Sequence, residues 1–107
     1  MVREKVFENQ IKFFLKELPN TWFYKNWGGG YSVSGIPDII ACVNGKFVGI
    51  EVKAEDGHPS ALQLRNISLI EKSKGIGLII YPKDFEMLKS LLKAVSEGKE
   101  EEFYKLG

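Results

Sequence analysis

The sequence predicts an α/β fold in which a mixed β-sheet is flanked by helices, with the element order α-β-β-β-α-β-α. Three observations support this class: apolar residues recur at helical spacing in the first segment, Asn44-Gly45 joins two β-prone runs, and an apolar run at 76–81 follows a second helical segment. An Asn-Gly hairpin pairs its strands antiparallel, whereas a strand–helix–strand unit pairs them in parallel through a right-handed crossover. We therefore expect both pairings in one sheet.

The first helix is predicted over residues 3–18, because one apolar stripe follows helical periodicity. Its members are Phe7, Ile11, Phe14, Leu15 and Leu18. Pro19-Asn20 ends this helix. The aromatic, β-prone run TWFYKNW at 21–27 predicts the first strand. GGGYSVSG at 28–35 predicts a loop, because consecutive glycines disfavour a regular element.

The hairpin is predicted from two strands, at about 38–43 and 46–53, joined by the type I′ turn that Asn-Gly favours. A two-residue turn sets the register of the pair. The expected partners are Val43 with Lys46, Cys42 with Phe47, Ala41 with Val48, Ile40 with Gly49, and Ile39 with Ile50. Asp38 then falls opposite Glu51.

A loop is predicted at 54–59, followed by a helix at about 61–74. Ser60 is the expected N-cap of this helix, and Gly75 is expected to end it. The next strand, at 76–81, is short, apolar and rich in β-branched residues, which suits the interior of a sheet.

The last helix is predicted from Pro82 to about Ser96, because apolar residues again share one face. These are Phe85, Leu88, Leu92 and Val95. The tail at 97–107 receives no assigned structure, and its acidic run KEEE at 99–102 is interpreted as a solvated face.

The composition of the chain predicts one domain, spanning residues 1–107, with one modest core. Neither a signal peptide nor a membrane span is expected, because the first ten residues lack an apolar run and no stretch approaches roughly 20 apolar residues. A single cysteine, Cys42, allows no internal disulfide, which favours a cytoplasmic location.

The net charge of +1 is not that of a strongly basic nucleic-acid binder. Contact with phosphate would therefore need a local patch, a metal or two copies of the chain.

Three ionisable residues gather at one end of the predicted hairpin. Asp38 lies across the ladder from Glu51, and Lys53 points to the same face as their diagonal neighbour. Like charges directly opposite destabilise a sheet, and one lysine offsets only part of this repulsion. A divalent cation would offset it better, and oxygen-only ligation suits Mg²⁺ or Mn²⁺. The alternative is a surface ion-pair cluster, which the apolar neighbours on this face disfavour.

An ordered set of motifs resembles the VRR-NUC family of the PD-(D/E)xK nuclease superfamily. The motifs are GIPD at 35–38, EVK at 51–53 and Gln63 at the start of the next helix. ENQI at 8–11 also fits the first helix of that family, and the resemblance covers about residues 6–81. Each motif alone is common, but their order, spacing and intervening hairpin are more specific.

This resemblance implies a restriction-endonuclease-like core and metal-dependent hydrolysis of DNA phosphodiesters. Asp38, Glu51 and the backbone carbonyl of Val52 would bind Mg²⁺, for which Mn²⁺ would substitute. Lys53 would position or help deprotonate the attacking water and stabilise charge that develops on the phosphate.

Two further residues are candidates for the same site. Glu8 is either a metal or water ligand, as the resemblance implies, or a first-turn acid that favours the helix dipole. Gln63 shares a helix face with Ile67 and Ile70, so its amide needs hydrogen-bond partners. It either forms an active-site wall that holds the metal water or Lys53, or it is a helix-start residue bonded to the backbone.

Candidate DNA contacts lie before and within the glycine-rich loop. Tyr31, Ser32 and Ser34 stand beside glycines that let backbone approach phosphate, and Lys25 adds charge. The alternative for each loop residue is a flexible connection.

Other conspicuous side chains are interpreted as structural. His58 is the single histidine, which excludes a histidine-based zinc site or triad, and Cys42 is interpreted as core. Trp22, Phe23 and Trp27 could stack on bases, although a core or interface role is commoner for such residues.

The leading functional hypothesis is a Mg²⁺-dependent, structure-specific DNA endonuclease that resolves four-way (Holliday) junctions as a homodimer. A chain of this length is expected to lack a separate sequence-reading domain, which favours recognition of DNA shape. The aromatic strands and the tail are candidate dimer interfaces, and small relatives suggest a phage or mobile-element origin. The alternatives are a nuclease for flaps, nicks or linear duplex, a catalytically silent DNA-binding module, and a regulatory metal-binding domain that would not need Lys53.

Overall fold

A computed structural model describes residues 3–27 and 33–106 of the chain. The elements are α1 (Glu4–Glu17), β1 (Thr21–Lys25), β2 (Ile39–Val43), β3 (Lys46–Val52), α2 (Ala61–Lys72), β4 (Ile76–Ile80), a 3-10 turn (Pro82–Asp84), α3 (Phe85–Ser96) and α4 (Glu100–Leu106). The predicted order is confirmed as far as α3, and α4 is an additional helix in the tail.

The four strands form one mixed sheet in the order β1-β2-β3-β4. β1 pairs antiparallel with β2, β2 pairs antiparallel with β3, and β3 pairs parallel with β4. The mixed sheet is therefore confirmed. The prediction that β4 lies in the sheet interior is wrong, because β4 is an edge strand. It is apolar because Ile76 and Ile80 are buried in the core beneath the helices.

The β2–β3 hairpin has the predicted turn and register. Asn44 has φ 50° and Gly45 has φ 81°, the two positive values that a type I′ turn requires. All five predicted pairs are present, from Val43 with Lys46 to Ile39 with Ile50. The Asn-Gly turn therefore determines which side chains share a face at the far end of the hairpin.

One side of the sheet, which we call the core face, is closed by α1 and α3. Alternate strand residues point to it and are fully buried: Ile39, Ala41, Val43, Val48, Ile50 and Val52. The predicted stripe of α1 packs onto this face through Phe7, Ile11 and Leu15. Phe7 contacts Phe85 at the start of α3 edge-to-face, with ring centroids 5.6 Å apart.

The other side of the sheet, which we call the α2 face, carries α2 over β3 and β4. Paired glycines, Gly49 and Gly77, let this helix approach closely. A Cβ on Gly77 would lie 2.8 Å from the backbone oxygen of Ile67, and one on Gly49 would lie 2.9 Å from Ile70 Cδ1. The helix leaves the β1–β2 half of this face uncovered. Cys42 is consequently exposed, so its predicted place in the core is wrong.

The sequence predicts the start of α2 correctly but not the residue that ends it. Ser60 is the N-cap, as predicted, and Gln63 completes a capping box with it. At the other end the left-handed residue is Lys74, with φ 73°, rather than the predicted Gly75. The Gly75 N–H bonds the Ile70 carbonyl at 2.9 Å, which closes a Schellman motif.

The tail is not structureless. Glu100–Leu106 forms α4, whose acidic first turn favours the helix dipole, and Phe103 packs against the core. Across the described ranges, no helix is both long enough and apolar enough to cross a membrane.

Candidate active site

Asp38 lies one residue before β2, just beyond the last backbone pair of the hairpin. Its Oδ2 accepts the backbone N–H of Val52 at 2.9 Å, and its carbonyl accepts the Asn26 N–H at 2.7 Å. The side chain thus takes the place of a backbone acceptor where the β2–β3 ladder ends. Asp38 is on the predicted side of the hairpin, but it is held by Val52 rather than by a ladder pair with Glu51.

Glu51 is a carboxylate in the interior of the protein, with only 2% of its surface exposed. Its Oε2 accepts from Gln63 Nε2 at 2.6 Å and lies 3.1 Å from Lys53 Nζ. Its Oε1 is buried and has no hydrogen-bond partner within the described residues. Buried carboxylate oxygens are seldom left unpaired, so this atom marks an unsatisfied position.

The pKa values of Asp38 and Glu51 depend on their burial and on the charges near them. Burial and, after it, the neighbouring Asp38 charge raise the pKa of Glu51 to about 7, against the lowering effects of the Lys53 hydrogen bond and charge. Burial also raises the pKa of Asp38, against the lowering effect of the Val52 hydrogen bond. The single ammonium of Lys53 therefore compensates the two carboxylates only in part.

Lys53 follows Glu51 on the same face, as the strand alternation predicts. Its ammonium is largely buried and reaches Glu51, and its positive charge lowers the pKa of Asp38 at longer range. The backbone N–H of Lys53 bonds the Ile80 carbonyl at 3.0 Å, which fixes its strand position beside β4. The predicted grouping of Asp38, Glu51 and Lys53 is present.

Gln63 combines the two roles that the sequence leaves open. Its amide oxygen accepts from the Ser60 N–H at 2.8 Å, as expected of a helix-start residue. Its amide nitrogen donates to Glu51. The observed partner is thus Glu51 rather than Lys53, and the predicted contact of Gln63 to a metal-bound water stays a prediction.

Glu8 is buried on α1, and its carboxylate forms an ion pair with Lys25 at the end of β1. Two residues predicted for different roles, one for metal and one for DNA, are thus partners of each other. The Glu8 charge raises the pKa of Asp38 and the Lys25 charge lowers it, which places this pair beside the site.

Glu4 is a residue that the sequence argument missed. Burial and the Asp38 charge raise its pKa, and the Lys53 charge lowers it, so the charge of Glu4 interacts with both. With Glu8, Lys25 and Asp38 it lines an open cavity of about 310 Å³, whose other walls are Lys5 and Trp27. Its position one helical turn before Glu8 was a signal that it shares that face.

The remaining predicted DNA contacts are only partly described. Ser34 is exposed in the segment before Asp38. Tyr31 and Ser32 lie outside the described residues. Lys25 reaches the site, although its charge is engaged by Glu8.

The residues present fit a hard divalent cation. No group of three or more His, Cys, Asp or Glu side chains is poised to hold a metal among residues 3–27 and 33–106. Mg²⁺, however, commonly uses one or two carboxylates and keeps several waters. Asp38 and Glu51 supply the carboxylates. Since the N–H and C=O of one strand residue face the same neighbouring strand, the Val52 carbonyl opens toward Asp38 as well.

Of the residues interpreted as structural, some lie where the sequence predicts and others do not. His58 is exposed in a loop, and Phe23 packs against the core. Trp22 and Trp27 are 65% and 71% exposed, so a core role is wrong for both. Trp27 lies near Lys25, with the ammonium 5.5 Å from its ring centroid.

Comparison with known proteins gives no relative: no protein-family model, curated protein or solved structure matches this chain.

Proposed function

We propose that this protein is a Mg²⁺-dependent DNA endonuclease of the VRR-NUC type, with a restriction-endonuclease-like core. The observation that carries the proposal is Glu51, a carboxylate 2% exposed beside Asp38, one of whose oxygens has no partner among residues 3–27 and 33–106. Such a pair is costly in a folded protein unless a cation or a chemical role compensates for it. An oxygen-only donor set with a neighbouring lysine fits hydrolysis of a phosphodiester.

The chain's own residues have separate tasks in this reaction. Asp38, Glu51 and the Val52 carbonyl would hold the cation, which supplies a water of lowered pKa and charge stabilisation at the phosphate. Gln63 and Lys53 fix the Glu51 carboxylate from two directions. The Lys53 ammonium, held in a water-poor position, would orient the attacking water and stabilise the negative charge of the transition state.

The surroundings of the pair favour an anionic substrate. Both α1 and α2 begin beside the site, because Glu4 opens α1 and Gln63 belongs to the first turn of α2. Helix N-termini attract phosphate groups through their free N–H groups and dipole. The cavity also exposes Lys5 and Lys25. Glu8 releases Lys25 for phosphate only if their ion pair opens.

The finer parts of the proposal concern the substrate and the assembly. We propose a branched DNA substrate, a four-way junction in particular, cleaved by a homodimer in the cytoplasm of a bacterial or phage-infected cell. The near-neutral charge of +1 supports two copies acting together, since pairing joins two modest basic surfaces.

Cleavage of labelled four-way junction, flap, nicked and linear duplex DNA with Mg²⁺ or Mn²⁺ tests the proposal. We expect cleavage by the wild type, and we expect Asp38→Ala and Lys53→Met to slow it by about 10²–10³-fold. Lys53→Met should retain most DNA affinity, because the loss concerns the transition state.

Lys89→Met is the matched control, because Lys89 lies on α3, where it pairs with Glu86. We expect its cleavage rate to equal that of the wild type. Undiminished cleavage by Lys53→Met would remove the catalytic assignment. Binding of DNA without cleavage of any substrate would instead identify a silent DNA-binding module, and binding of metal without DNA affinity would identify a regulatory metal domain.

A further inference from the structure

The uncovered β1–β2 half of the α2 face, with adjoining side chains of β3 and α2, forms an apolar surface that we call the apolar strip. Its residues are Trp22, Tyr24, Ile40, Cys42, Phe47 and Leu69. The strand register aligns them in rows, because Trp22 pairs with Cys42 and Cys42 pairs with Phe47 across three strands. Phe47 and Leu69 then share a cavity at the side of α2.

The strip is exposed although its side chains are large and uncharged. Trp22 is 65% exposed, and Tyr24, Phe47 and Leu69 are each 46% exposed. The rings of Trp22 and Tyr24 contact each other at 5.7 Å between centroids. Since apolar surface is favourably removed from water, such a surface favours association with a partner.

The extent of the strip is sufficient for a small interface. An aromatic side chain presents about 150–250 Å², so the exposed parts of these residues sum to roughly 400–500 Å² on one copy. Two strips in contact would remove roughly 800–1,000 Å², and their rims would bring the total to the ~1,000 Å² that a biological interface needs.

From these observations we infer that the apolar strip is the interface through which two copies of this chain form a two-fold symmetric dimer. A symmetric interface places the same patch against itself. The strip can do so without opposing like charges, because none of its side chains is charged. The same neutrality argues against DNA as the occupant, since phosphate contacts depend on lysine and arginine.

The location of the strip connects this interface to the site. Ile40 lies two residues after Asp38 on the same strand face, so a partner on the strip would sit beside the carboxylate pair. The inference deepens the homodimer part of the proposed function and rests on it. Its test requires neither DNA nor metal, so its failure is distinguishable from a failure of the nuclease assignment.

Sedimentation velocity across a wide range of protein concentration tests the interface. We expect the wild type to sediment with twice the mass of one chain. Trp22→Glu and Phe47→Glu should each weaken the dimer by about 30-fold or more, as is typical for truncation of a buried aromatic anchor. Phe13→Glu is the matched control, because Phe13 is 69% exposed on α1, on the other side of the sheet. We expect that control to remain dimeric.

The single cysteine reports on the same interface. Cys42 lies between Trp22 and Phe47, so dimerisation should protect its thiol from a bulky alkylating reagent. Trp22→Glu should restore the reaction, with circular dichroism confirming that the variant is folded.

A monomeric wild type at every concentration overturns the inference, and so does a dimer that Phe13→Glu dissociates while Trp22→Glu and Phe47→Glu do not. A monomer whose DNA affinity falls in Trp22→Glu would assign the strip to DNA instead, and would also overturn it. An inactive protein whose dimer depends on Trp22 and Phe47 supports the interface while removing the proposed nuclease activity.

Discussion

The two faces of the sheet differ in how completely they are covered. Ile39 and Ile40 are adjacent on β2, yet Ile39 is 0% exposed on the core face while Ile40 is only half-buried on the α2 face. On the core face α1 and α3 close over a continuous hydrophobic cluster. On the α2 face one helix with no fully buried residue covers part of the sheet.

The core face therefore stabilises the fold, whereas the α2 face carries Glu51 of the candidate site. Burial on the core face supplies the hydrophobic stabilisation. The α2 face can therefore carry Glu51, an unfavourable buried carboxylate, together with the bare strip at Cys42. We expect substitutions on the core face to change folding and those on the α2 face to change function.

The largest expected change in stability tests this separation on adjacent residues. Ile39→Ala should lower the free energy of unfolding by about 3–4 kcal/mol, because it leaves a cavity in a closed core. Ile40→Ala should lower it by less than half as much, since its side chain already meets solvent. Urea denaturation of both variants at one protein concentration measures the difference. Equal losses would contradict the contrast between the faces.

A substitution at Glu51 should change the free energy of unfolding by a smaller amount, and it should stabilise the protein rather than destabilise it. Its pKa is about 7 in the folded protein against an ordinary value of 4.5, so the folded state binds the proton more tightly. The free energy of unfolding of the metal-free protein should therefore fall as pH rises from 4.5 to 7 and then level off. Glu51→Gln removes this penalty and should stabilise the protein by about 2–3 kcal/mol at pH 8, but not at pH 4.

Thermal melts with and without Mg²⁺ measure this prediction. We expect Mg²⁺ to raise the Tm of the wild type at pH 8 and to leave that of Glu51→Gln unchanged. Glu86→Gln is the control, because the Glu86 side chain is 87% exposed and its loss should leave the pH dependence intact. A Glu51→Gln variant less stable than the wild type at pH 8 would show that the carboxylate is satisfied without a cation.

The smallest expected effects separate the two roles of Gln63. Gln63→Ala and Ser60→Ala each break the capping box and should each cost about 1 kcal/mol. Only Gln63→Ala also removes the hydrogen bond to Glu51, so only it should slow cleavage, by about tenfold. Denaturation and single-turnover cleavage of both variants provide the comparison. Equal cleavage rates would leave Gln63 with the capping role alone.

Local signals were sufficient for much of the fold and for the centre of the site. The Asn-Gly turn predicted the register of β2 and β3, and hence the grouping of Asp38, Glu51 and Lys53. The apolar stripe of α1 and the N-cap of α2 were likewise predicted from the sequence. Each depends on residues close in sequence, for which periodicity and turn chemistry are direct constraints.

Features that depend on contacts between distant elements could not be predicted from local sequence patterns. Cys42 and Phe47 look like core residues in an apolar strand, and their exposure depends on where α2 crosses the sheet. The pairing of Glu8 with Lys25 and the approach of Glu4 to Asp38 depend on how α1 lies against β1. The contact from Gln63 to Glu51 likewise joins two elements whose relative placement no local pattern specifies.

By itself the sequence determined the elements as far as α3, the hairpin register and the three charged residues at the end of the hairpin, because backbone alternation and a two-residue turn leave little freedom. The tertiary structure alone decided how deeply Glu51 is buried, which of its oxygens finds no partner in the part of the chain that the structure describes, and which half of the α2 face α2 leaves uncovered. Those outcomes depend on packing between elements distant in sequence, where close-packed side chains such as Ile67 and Ile70 over Gly77 and Gly49 set the position of the helix.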